Sequence, residues 1–331
     1  MNFDLSHPDI KFALEAVADA ARLARKIQVD AHAKRLDKSD LSPVTVADFA
    51  GQATVAHALS LAFGSDVMVG EEESVLLRGP DAQDVLHLVS NYVREIIPGA
   101  SDEDVMTWID RGTDNVTDRY WTLDPIDGTK GYLRGDQYAV ALALVEDGEV
   151  RVGILGMPNL GPDCALEGEP KGVLALAVRG EGAGWAPLDG DHKEFKPLRV
   201  SDCDTLSKAR LLRSLVSGHT NVDQLEEMSQ AIGLEAPPLA RDSQAKYGML
   251  AAGHGEILLR LLSPKQPDYK ECVWDQAAGS IVVEEAGGRV TDLDGKALDF
   301  SAGRRLTKNT GICATNGQLH DRVLEALQAV R

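Results

Sequence analysis

The apolar residues of the first hundred positions recur at helical spacing. They predict amphipathic helices over residues 9–28, 47–61 and 81–97, because apolar side chains there fall three or four positions apart. Pro8 and Asp9 are suited to the start of the first helix. Pro43 predicts a turn at residues 40–43, since the residue before a proline is pushed toward extended backbone. We expect the polar stretch at residues 101–118 to be a loop.

Short apolar runs with turn residues between them predict strands in the middle of the chain. They cover residues 67–69, 121–123, 138–145, 150–155 and 173–178. The third and fourth runs flank Asp147-Gly148 and are expected to pair as a hairpin.

A stretch rich in glycine, proline and charge, residues 180–199, is expected to separate two domains over 1–185 and 186–331. The region beyond it contains predicted strands at 210–216, 257–262 and 311–315. They alternate with predicted helices at 221–232, 243–252, 275–286 and 318–329. This alternation indicates an α/β fold of the mixed α+β kind.

Composition and charge narrow the classes of partner. The 331 residues carry a formal net charge of -18, and no dense Lys/Arg run offsets it. Such a surface repels polyanions, so we expect no nucleic-acid and no membrane partner. The four cysteines form no C-x-x-C pair, the start of the chain lacks a secretory pattern, and no apolar run reaches the ~20 residues of a membrane span. We expect a cytoplasmic monomer in which bound metal would attract an anionic substrate.

The stretch WTLDPIDGTKG, residues 121–131, places two carboxylates at the end of an apolar run. Proline fixes φ and lets the chain turn at once, so Asp124, the Ile126 carbonyl and Asp127 can present three oxygens on one corner. Mg²⁺ prefers such ligands and keeps several waters, which leaves room for substrate phosphate. Asp-Gly is also ordinary turn chemistry, so the two aspartates could simply cap the turn and the following helix.

Two further acidic elements favour the metal interpretation. Residues 70–73, Gly-Glu-Glu-Glu, directly follow an apolar strand, although exposed acidic clusters are often only solvated surface. Asp275 opens an Ala- and Val-rich helix after Trp274, where the N-cap preference of aspartate would explain it equally well. Only the combination of the three elements indicates a cation site.

Other catalytic signatures fit less well. The central stretch superficially resembles the D-x-D-G-T loop of haloacid-dehalogenase-like phosphatases, whose first aspartate is a covalent nucleophile. Here the spacing is D-x-x-D, and alternation along a strand would not present both side chains alike. The chain also lacks G-x-x-x-x-G-K-[ST], G-x-S-x-G and H-E-x-x-H, the signatures of P-loop, esterase and zinc-protease sites.

Together the acidic motifs resemble those of the lithium-sensitive, Mg²⁺-dependent phosphatase superfamily of inositol monophosphatase and fructose-1,6-bisphosphatase. Its motifs G-E-E, D-P-[IL]-D-G-T and W-D-x-x-A occur here in that order, at residues 70–72, 124–129 and 274–278. With the run EEAGG at 284–288, the resemblance spans nearly the whole chain.

Within the superfamily, the chain resembles the 3'(2'),5'-bisphosphate nucleotidases. The segments that carry this resemblance are DPIDGTKGYLRG at 124–135, DSQAKY at 242–247 and SPVTVAD at 42–48, whereas inositol phosphatases usually read D-G-T-T-N at the first. The resemblance implies Li⁺-sensitive, Mg²⁺-dependent removal of the 3'-phosphate from adenosine 3',5'-bisphosphate, with its sulfated precursor as a further substrate.

The resemblance also implies a fold and a set of site residues. The fold is an αβαβα layered sandwich. Two or three Mg²⁺ ions would be held by Glu71, Asp124, the Ile126 carbonyl, Asp127 and Asp275. The attacking water would be oriented by Asp48 and Thr129. The substrate would be contacted by Lys130, His219, Ser243, Lys246 and Arg260.

From the sequence alone, these residues could also have purely structural roles. Thr129 could cap the following helix, and Lys246 and Arg260 could be surface charges. The third glutamate in residues 70–73 leaves open whether Glu72 or Glu73 supports the site. Tyr132 stands where the family usually has Phe, and the loop at 263–268 is longer than in the fungal members.

Two alternative functions also stay open. The first is the same chemistry on inositol phosphates or fructose bisphosphate, which the Lys-Gly pair after D-G-T disfavours. The second is a catalytically silent nucleotide or metal sensor. A silent sensor would have no need to keep several mutually repelling carboxylates.

Overall fold

The computed structural model describes residues 1, 3–34, 43–79, 82–169, 171–215 and 222–330. Within these ranges, no helix combines the length and the apolar character needed to cross a bilayer.

The N-terminal part of the chain is mainly helical, with α1 at Pro8–Lys34, α2 at Pro43–Ala62, α3 at Gln83–Ile96 and α4 at Asp102–Asp110. The prediction that Pro43 lies in a turn is wrong, because proline is tolerated in the first turn of a helix. The predicted loop at 101–118 is wrong over α4. Ser101 Oγ accepts from the Asp104 N–H and Asp104 accepts from the Ser101 N–H, a capping box that starts this helix.

The first sheet has seven strands in chain order. They are β1 (Val67–Gly70), β2 (Arg119–Asp127), β3 (Ala139–Glu146), β4 (Glu149–Met157), β5 (Val173–Val178), β6 (Gly182–Pro187) and β7 (Lys196–Pro197). Only β1 and β2 are parallel, and every other neighbouring pair is antiparallel. The hairpin predicted between β3 and β4 is confirmed, with positive φ at Asp147 and Gly148 in its turn. A short helix, α5 (Thr129–Arg134), follows β2.

The second sheet has five strands in the order β11-β12-β10-β8-β9. Its strands are β8 (Leu211–Arg213), β9 (Leu239–Ala240), β10 (Ile257–Arg260), β11 (Arg289–Thr291) and β12 (Ile312–Thr315). The helices between and after them are α6 (Val222–Ala231), α7 (Ala245–Ala251), α8 (Ala277–Glu285) and α9 (His320–Val330). β8, β9 and β10 are mutually parallel, so their carboxyl ends meet at one edge of the sheet.

The two sheets and their helices stack in five layers. One face of the first sheet packs on α1 and α2, and its other face shares a large core with α7, α8 and the second sheet. The far face of the second sheet packs on α6 and α9. The predicted αβαβα sandwich is therefore confirmed. The predicted domain boundary at 185/186 stays a prediction, and β6 and β7 of the first sheet extend to both sides of it.

Candidate active site

Strand β2 carries both aspartates of the DPID motif. The prediction that the chain turns at this motif is wrong, since β2 stays paired with β3 up to Asp127. Asp124 pairs with Ala141 and Asp127 pairs with Ala139, so three steps along β2 match two along β3. The extra residue makes a β-bulge, which resets the alternation of side chains. Both carboxylates consequently line the same cleft despite the D-x-x-D spacing.

Each aspartate of the motif is held by a backbone N–H. Asp124 is 2% exposed, and its Oδ1 accepts a hydrogen bond from the Ile126 N–H at 3.1 Å. Asp127 is half-buried, and its Oδ2 accepts from the Gln244 N–H at the start of α7. The second bond ties the first sheet to a helix of the central layer, so the position of Asp127 depends on both.

Glu71 directly follows strand β1 and lies beside Asp124. β1 runs parallel to β2, so the residues that follow β1 emerge next to the DPID motif. The fully buried Gln52 side chain holds this segment, because its Nε2 donates to the Glu72 carbonyl at 2.7 Å and its Oε1 accepts from the Glu72 N–H at 3.1 Å. Gly70 is required there, since a Cβ would lie 2.5 Å from Gln52 Oε1.

Asp275 reaches the site from the turn before α8. The interpretation of Asp275 as an N-cap is wrong, because α8 begins at Ala277 with Gln276 as its N-cap. Gln276 is fully buried and holds the turn in place: Tyr247 Oη donates to its Oε1 at 2.5 Å, and its Nε2 donates to Glu271 Oε2 at 2.9 Å. Asp275 itself lines the cleft with the DPID aspartates.

These carboxylates form one electrostatically coupled group. Burial is the main cause that raises the pKa of Asp124 well above its usual value, and the nearby charges of Glu71, Asp127, Asp275 and Asp48 raise it further. Burial likewise raises the pKa of Asp127, and it raises that of Asp275 well above the usual value. In the absence of a cation, the ionised forms of this group therefore destabilise the fold.

Asp48 lies behind this group, on α2, and does not line the cleft. It is 8% exposed, and burial raises its pKa well above the usual value, with further contributions from Glu72 and Glu71. Burial also raises the pKa of Glu72 to about 7, with Glu71 and Glu73 adding to the shift. Glu72 is thus the neighbour of Asp48, whereas the charge of Glu73 acts on Arg304.

The donor set fits a hard divalent cation. It consists of oxygens only, and buried like charges are costly unless a counter-charge joins them. Among the described residues, no three or more His, Cys, Asp or Glu side chains form a ready-made metal cage. An open set of this kind suits Mg²⁺, which keeps several waters and uses substrate phosphate oxygens.

The cleft in which the carboxylates lie has a volume of about 680 Å³, within the range of small-molecule sites. Ten of the twelve predicted site residues line it: Glu71, Asp124, Ile126, Asp127, Thr129, Lys130, Ser243, Lys246, Arg260 and Asp275. Asp48 is the buried neighbour described above. The prediction for His219 lies outside the described residues. The individual roles of these residues stay predictions.

Lys246 lines the same cleft as the carboxylates, together with Arg260 and Arg213, and we call these three residues the cationic wall. Lys246 is 8% exposed, its Nζ donates to the Ser243 carbonyl at 2.9 Å, and it lies 3.4 Å from Ser214 Oγ. Burial lowers its pKa to about 8, against the raising effect of Asp127, so the ammonium is charged at neutral pH. The interpretation of Lys246 as a surface charge is therefore wrong.

Two arginines complete the wall from the parallel edge of the second sheet. Arg260 ends β10, and its Nη2 pairs with Glu271 Oε2 at 2.9 Å. Arg213 ends the neighbouring strand β8, and its buried Nε has no hydrogen-bond partner in the described part of the chain. The sequence analysis missed Arg213, although two arginines at the carboxyl ends of parallel strands are a usable signal. It also missed Tyr269 and Arg305, which line the cleft as well.

Thr129 is the first residue of α5 and is exposed in the cleft. It does not cap that helix, because Gly128 is the N-cap, with φ at 94°. A Cβ on Gly128 would lie 2.6 Å from the Ser243 Cβ, so the left-handed conformation and the close approach both require glycine. Lys130, which follows, is also exposed at the cleft.

Comparison with known proteins connects this geometry to a family. Residues 6–331 match the profile described as the inositol monophosphatase family. The chain is 39% identical over 348 residues to the 3'(2'),5'-bisphosphate nucleotidase of Schizosaccharomyces pombe, covering 100% of this chain and 97% of that protein. It is 41% identical over 339 residues to the 3'(2'),5'-bisphosphate nucleotidase of Oryza sativa, covering 97% and 93%.

Solved structures agree on the fold. The IMPase of Thermotoga maritima superposes with a TM-score of 0.64 at 21% identity, over 97% of each chain. CysQ from Bacteroides thetaiotaomicron, a bacterial member of the inositol monophosphatase family, superposes with a TM-score of 0.59 at 16% identity, over 95% of this chain and 98% of its own.

A substitution within the acidic group tests whether it binds a cation. Asp124→Asn removes one negative charge and keeps an oxygen that can accept the Ile126 bond. In EDTA we expect the variant to unfold at a higher temperature than the wild type, because repulsion is relieved. Saturating Mg²⁺ should raise the wild-type unfolding temperature by roughly 4 °C, since a ligand at 100 times its Kd adds about 2.7 kcal/mol and a chain of this length has an unfolding entropy of about 0.7 kcal/mol/K. The variant should gain far less in differential scanning calorimetry.

The matched control for this experiment is Glu325→Gln, which removes an exposed carboxylate on α9 far along the chain from the site. We expect it to respond to Mg²⁺ as the wild type does. An equal Mg²⁺ response in Asp124→Asn would contradict the cation site.

Proposed function

This chain belongs to the inositol monophosphatase family, as its motifs predict, and we propose that it is a Mg²⁺-dependent 3'(2'),5'-bisphosphate nucleotidase. It would hydrolyse the 3'-phosphate of adenosine 3',5'-bisphosphate to give AMP and phosphate, and would also act on the sulfated precursor. The family is metal-dependent, and the proposal adds two or three Mg²⁺ ions and inhibition by Li⁺ to that general property.

One observation carries the proposal: a single cleft joins a group of coupled carboxylates to a wall of cations. A phosphate monoester that is cleaved beside carboxylates needs a cation between the like charges. A substrate with a second phosphate also needs protein cations further along the cleft, which Lys246, Arg260 and Arg213 provide. A substrate with two separated phosphates therefore matches both the group of carboxylates and the cationic wall. The names of the two relatives support this choice of substrate.

In the proposed mechanism, Mg²⁺ is held by Glu71, Asp124, the Ile126 carbonyl, Asp127 and Asp275. When bound, Mg²⁺ would neutralise the phosphoryl oxygens, increase the acidity of the attacking water and stabilise the leaving 3'-oxygen. The bulge in β2, the Gln52 contacts and the turn before α8 bring these ligands to one cleft. No side chain of the protein acts as a nucleophile.

Two residues of the chain would orient the attacking water. Thr129 Oγ1 is exposed in the cleft and can hydrogen-bond the water from the side of α5. The Asp48 carboxylate does not line the cleft, so it would act on the water, and take up its proton, through the Thr129 hydroxyl. The water oxygen would bond to phosphorus as the bond from phosphorus to the 3'-oxygen breaks, and the 3'-oxygen would take up a proton from solvent as AMP and phosphate leave.

The phosphate that is not cleaved would be bound by the cationic wall. Lys246 offers a point charge that the Ser243 carbonyl and Ser214 Oγ hold in place. The two arginines offer planar guanidinium groups suited to bidentate phosphate contacts. Lys130 would contact the substrate at the mouth of the cleft. A contact from His219 stays part of the proposal, outside the described residues.

A second candidate keeps the chemistry and changes the substrate. The IMPase of Thermotoga maritima shares the fold, and fold alone would allow an inositol phosphate as substrate. The cationic wall and the Lys130-Gly131 pair favour the nucleotide instead. A cytoplasmic location and a monomeric state remain predictions from the sequence.

A panel of substrates tests the proposed activity. Phosphate release is measured from adenosine 3',5'-bisphosphate, inositol 1-phosphate and fructose 1,6-bisphosphate, each with Mg²⁺, with EDTA, and with Mg²⁺ plus Li⁺. We expect release chiefly from the nucleotide, abolished by EDTA and suppressed by Li⁺. Release chiefly from a sugar phosphate would contradict the substrate, and release from none of them would favour the silent sensor.

The cationic wall predicts that a substitution in it will change kcat/KM more for a substrate with two phosphates than for one with a single phosphate. Arg213→Ala should lower kcat/KM for adenosine 3',5'-bisphosphate about 10–100-fold, because a hydrogen bond to a charged group contributes about 1.5–3 kcal/mol. For adenosine 3'-monophosphate, which lacks the second phosphate, kcat/KM should change less than about threefold. Arg210→Ala removes an exposed arginine outside the cleft and should leave both values unchanged. Equal losses on the two substrates would contradict a contact with the second phosphate.

A further inference from the structure

The guanidinium group of Arg304 connects segments that are far apart in sequence. Its Nη2 donates to the Gly70 carbonyl at 2.6 Å, and its Nη1 donates to the carbonyls of Gly112 at 2.8 Å and Asp114 at 3.2 Å. The guanidinium carbon also lies 4.9 Å from the centre of the Trp274 ring, a cation–π contact. Arg304 thus contacts the end of β1, the loop before β2 and the turn before α8 at once.

Two of these contacts lie one residue from proposed metal ligands. Gly70 directly precedes Glu71, and Trp274 directly precedes Asp275. Arg304 also holds the second segment through its backbone, since its carbonyl accepts from the Val273 N–H at 3.1 Å. One side chain therefore links the backbone that carries Glu71 to the backbone that carries Asp275.

The link acts against a repulsion. Glu71 and Asp275 belong to different layers of the fold, and both line the same cleft. Like charges on separate segments move apart unless other contacts oppose them. Arg304 opposes this movement through backbone carbonyls and a ring, so it leaves both carboxylates free to bind a cation.

We propose that Arg304 is a positioning residue that sets the separation of the Glu71 and Asp275 carboxylates and thereby raises the affinity of the site for Mg²⁺. The inference rests on the proposed function, because it concerns the metal site of that function. Arg304 does not line the cleft, so it is not placed to contact a substrate bound there. Its effect should therefore appear in metal binding and not in the chemical step.

Guanidinium is suited to this task in a way that an ammonium is not. Its donors are fixed in a plane, so Nη1 and Nη2 can reach separate carbonyls while the face stacks on Trp274. A lysine at this position keeps the positive charge but loses the fork and most of the stacking. Arg304→Lys thus separates the effect of geometry from the effect of charge.

The test measures Mg²⁺ binding directly, by isothermal titration calorimetry of the full chain without substrate. Arg304→Lys should weaken Mg²⁺ binding about 10–100-fold, the usual effect of losing a residue that supports metal ligands. The Mg²⁺ concentration for half-maximal phosphate release should rise by a similar factor, whereas kcat at saturating Mg²⁺ should stay within about threefold of wild type. Arg304→Gln, which is shorter and uncharged and so loses both the fork and the cation–π contact, is the second variant and should show a loss at least as large.

The matched control is Arg322→Lys. Arg322 is exposed, and its Nη1 also donates to a backbone carbonyl, that of Asp204, at 2.8 Å. It lies outside the cleft and should bind Mg²⁺ as the wild type does.

Each remaining outcome counts against the inference. Wild-type affinity in a folded Arg304→Lys protein would overturn it, and so would unchanged Mg²⁺ binding with a reduced kcat. Failure of both Arg304 variants to fold would show a role in stability alone and would also overturn it. Absence of Mg²⁺ binding in the wild type would instead defeat the proposed metal-dependent function, and the inference with it.

Discussion

Repulsion among buried carboxylates is the constraint on which this site depends. Asp124 and Asp127 come from the first sheet, Glu71 follows its neighbouring strand, and Asp275 lies in a turn of the central layer. Burial raises the pKa of all three aspartates, and neighbouring carboxylates add to the shift for Asp124 and Asp275, whereas Lys246 and Arg260 oppose it for Asp127. Buried like charges are costly without a counter-charge. A divalent cation supplies that charge, and a fold that gathers these groups is thereby prepared for metal-assisted chemistry.

Neutral and cationic groups behind the carboxylates counter this repulsion. Gln52 grips the backbone of Glu72 through both ends of its amide, and Gln276 holds the turn that carries Asp275. Arg304 joins the two segments from outside the cleft. These residues use backbone and amide contacts, so the carboxylate oxygens remain available. On the cationic wall, too, a charged group remains available to a ligand. The buried Nε of Arg213 has no hydrogen-bond partner among the described residues.

The sequence predicted most of the site because its motifs are short and contiguous. The observed strands before the acidic motifs and the observed helices after them lie close to the positions that the apolar pattern predicts. The bulge in β2 could not be predicted, since it depends on pairing with β3 and not on the local residues. The N-cap interpretation of Asp275 failed because the N-cap of α8 is Gln276, one residue later than local preference indicates. Arg304 escaped notice because its partners are backbone carbonyls about 190 to 234 positions away.

The most direct test of the central claim is the anomalous diffraction of Mn²⁺, a substitute for Mg²⁺, in crystals of the full chain grown with adenosine 3',5'-bisphosphate and with Li⁺ to suppress its hydrolysis. We expect anomalous peaks within about 2.3 Å of the oxygens of Glu71, Asp124, Asp127 and Asp275. The 3'-phosphate should lie against these peaks, with the other phosphate against the cationic wall. Manganese bound elsewhere, or a nucleotide bound without metal at these carboxylates, would contradict the account.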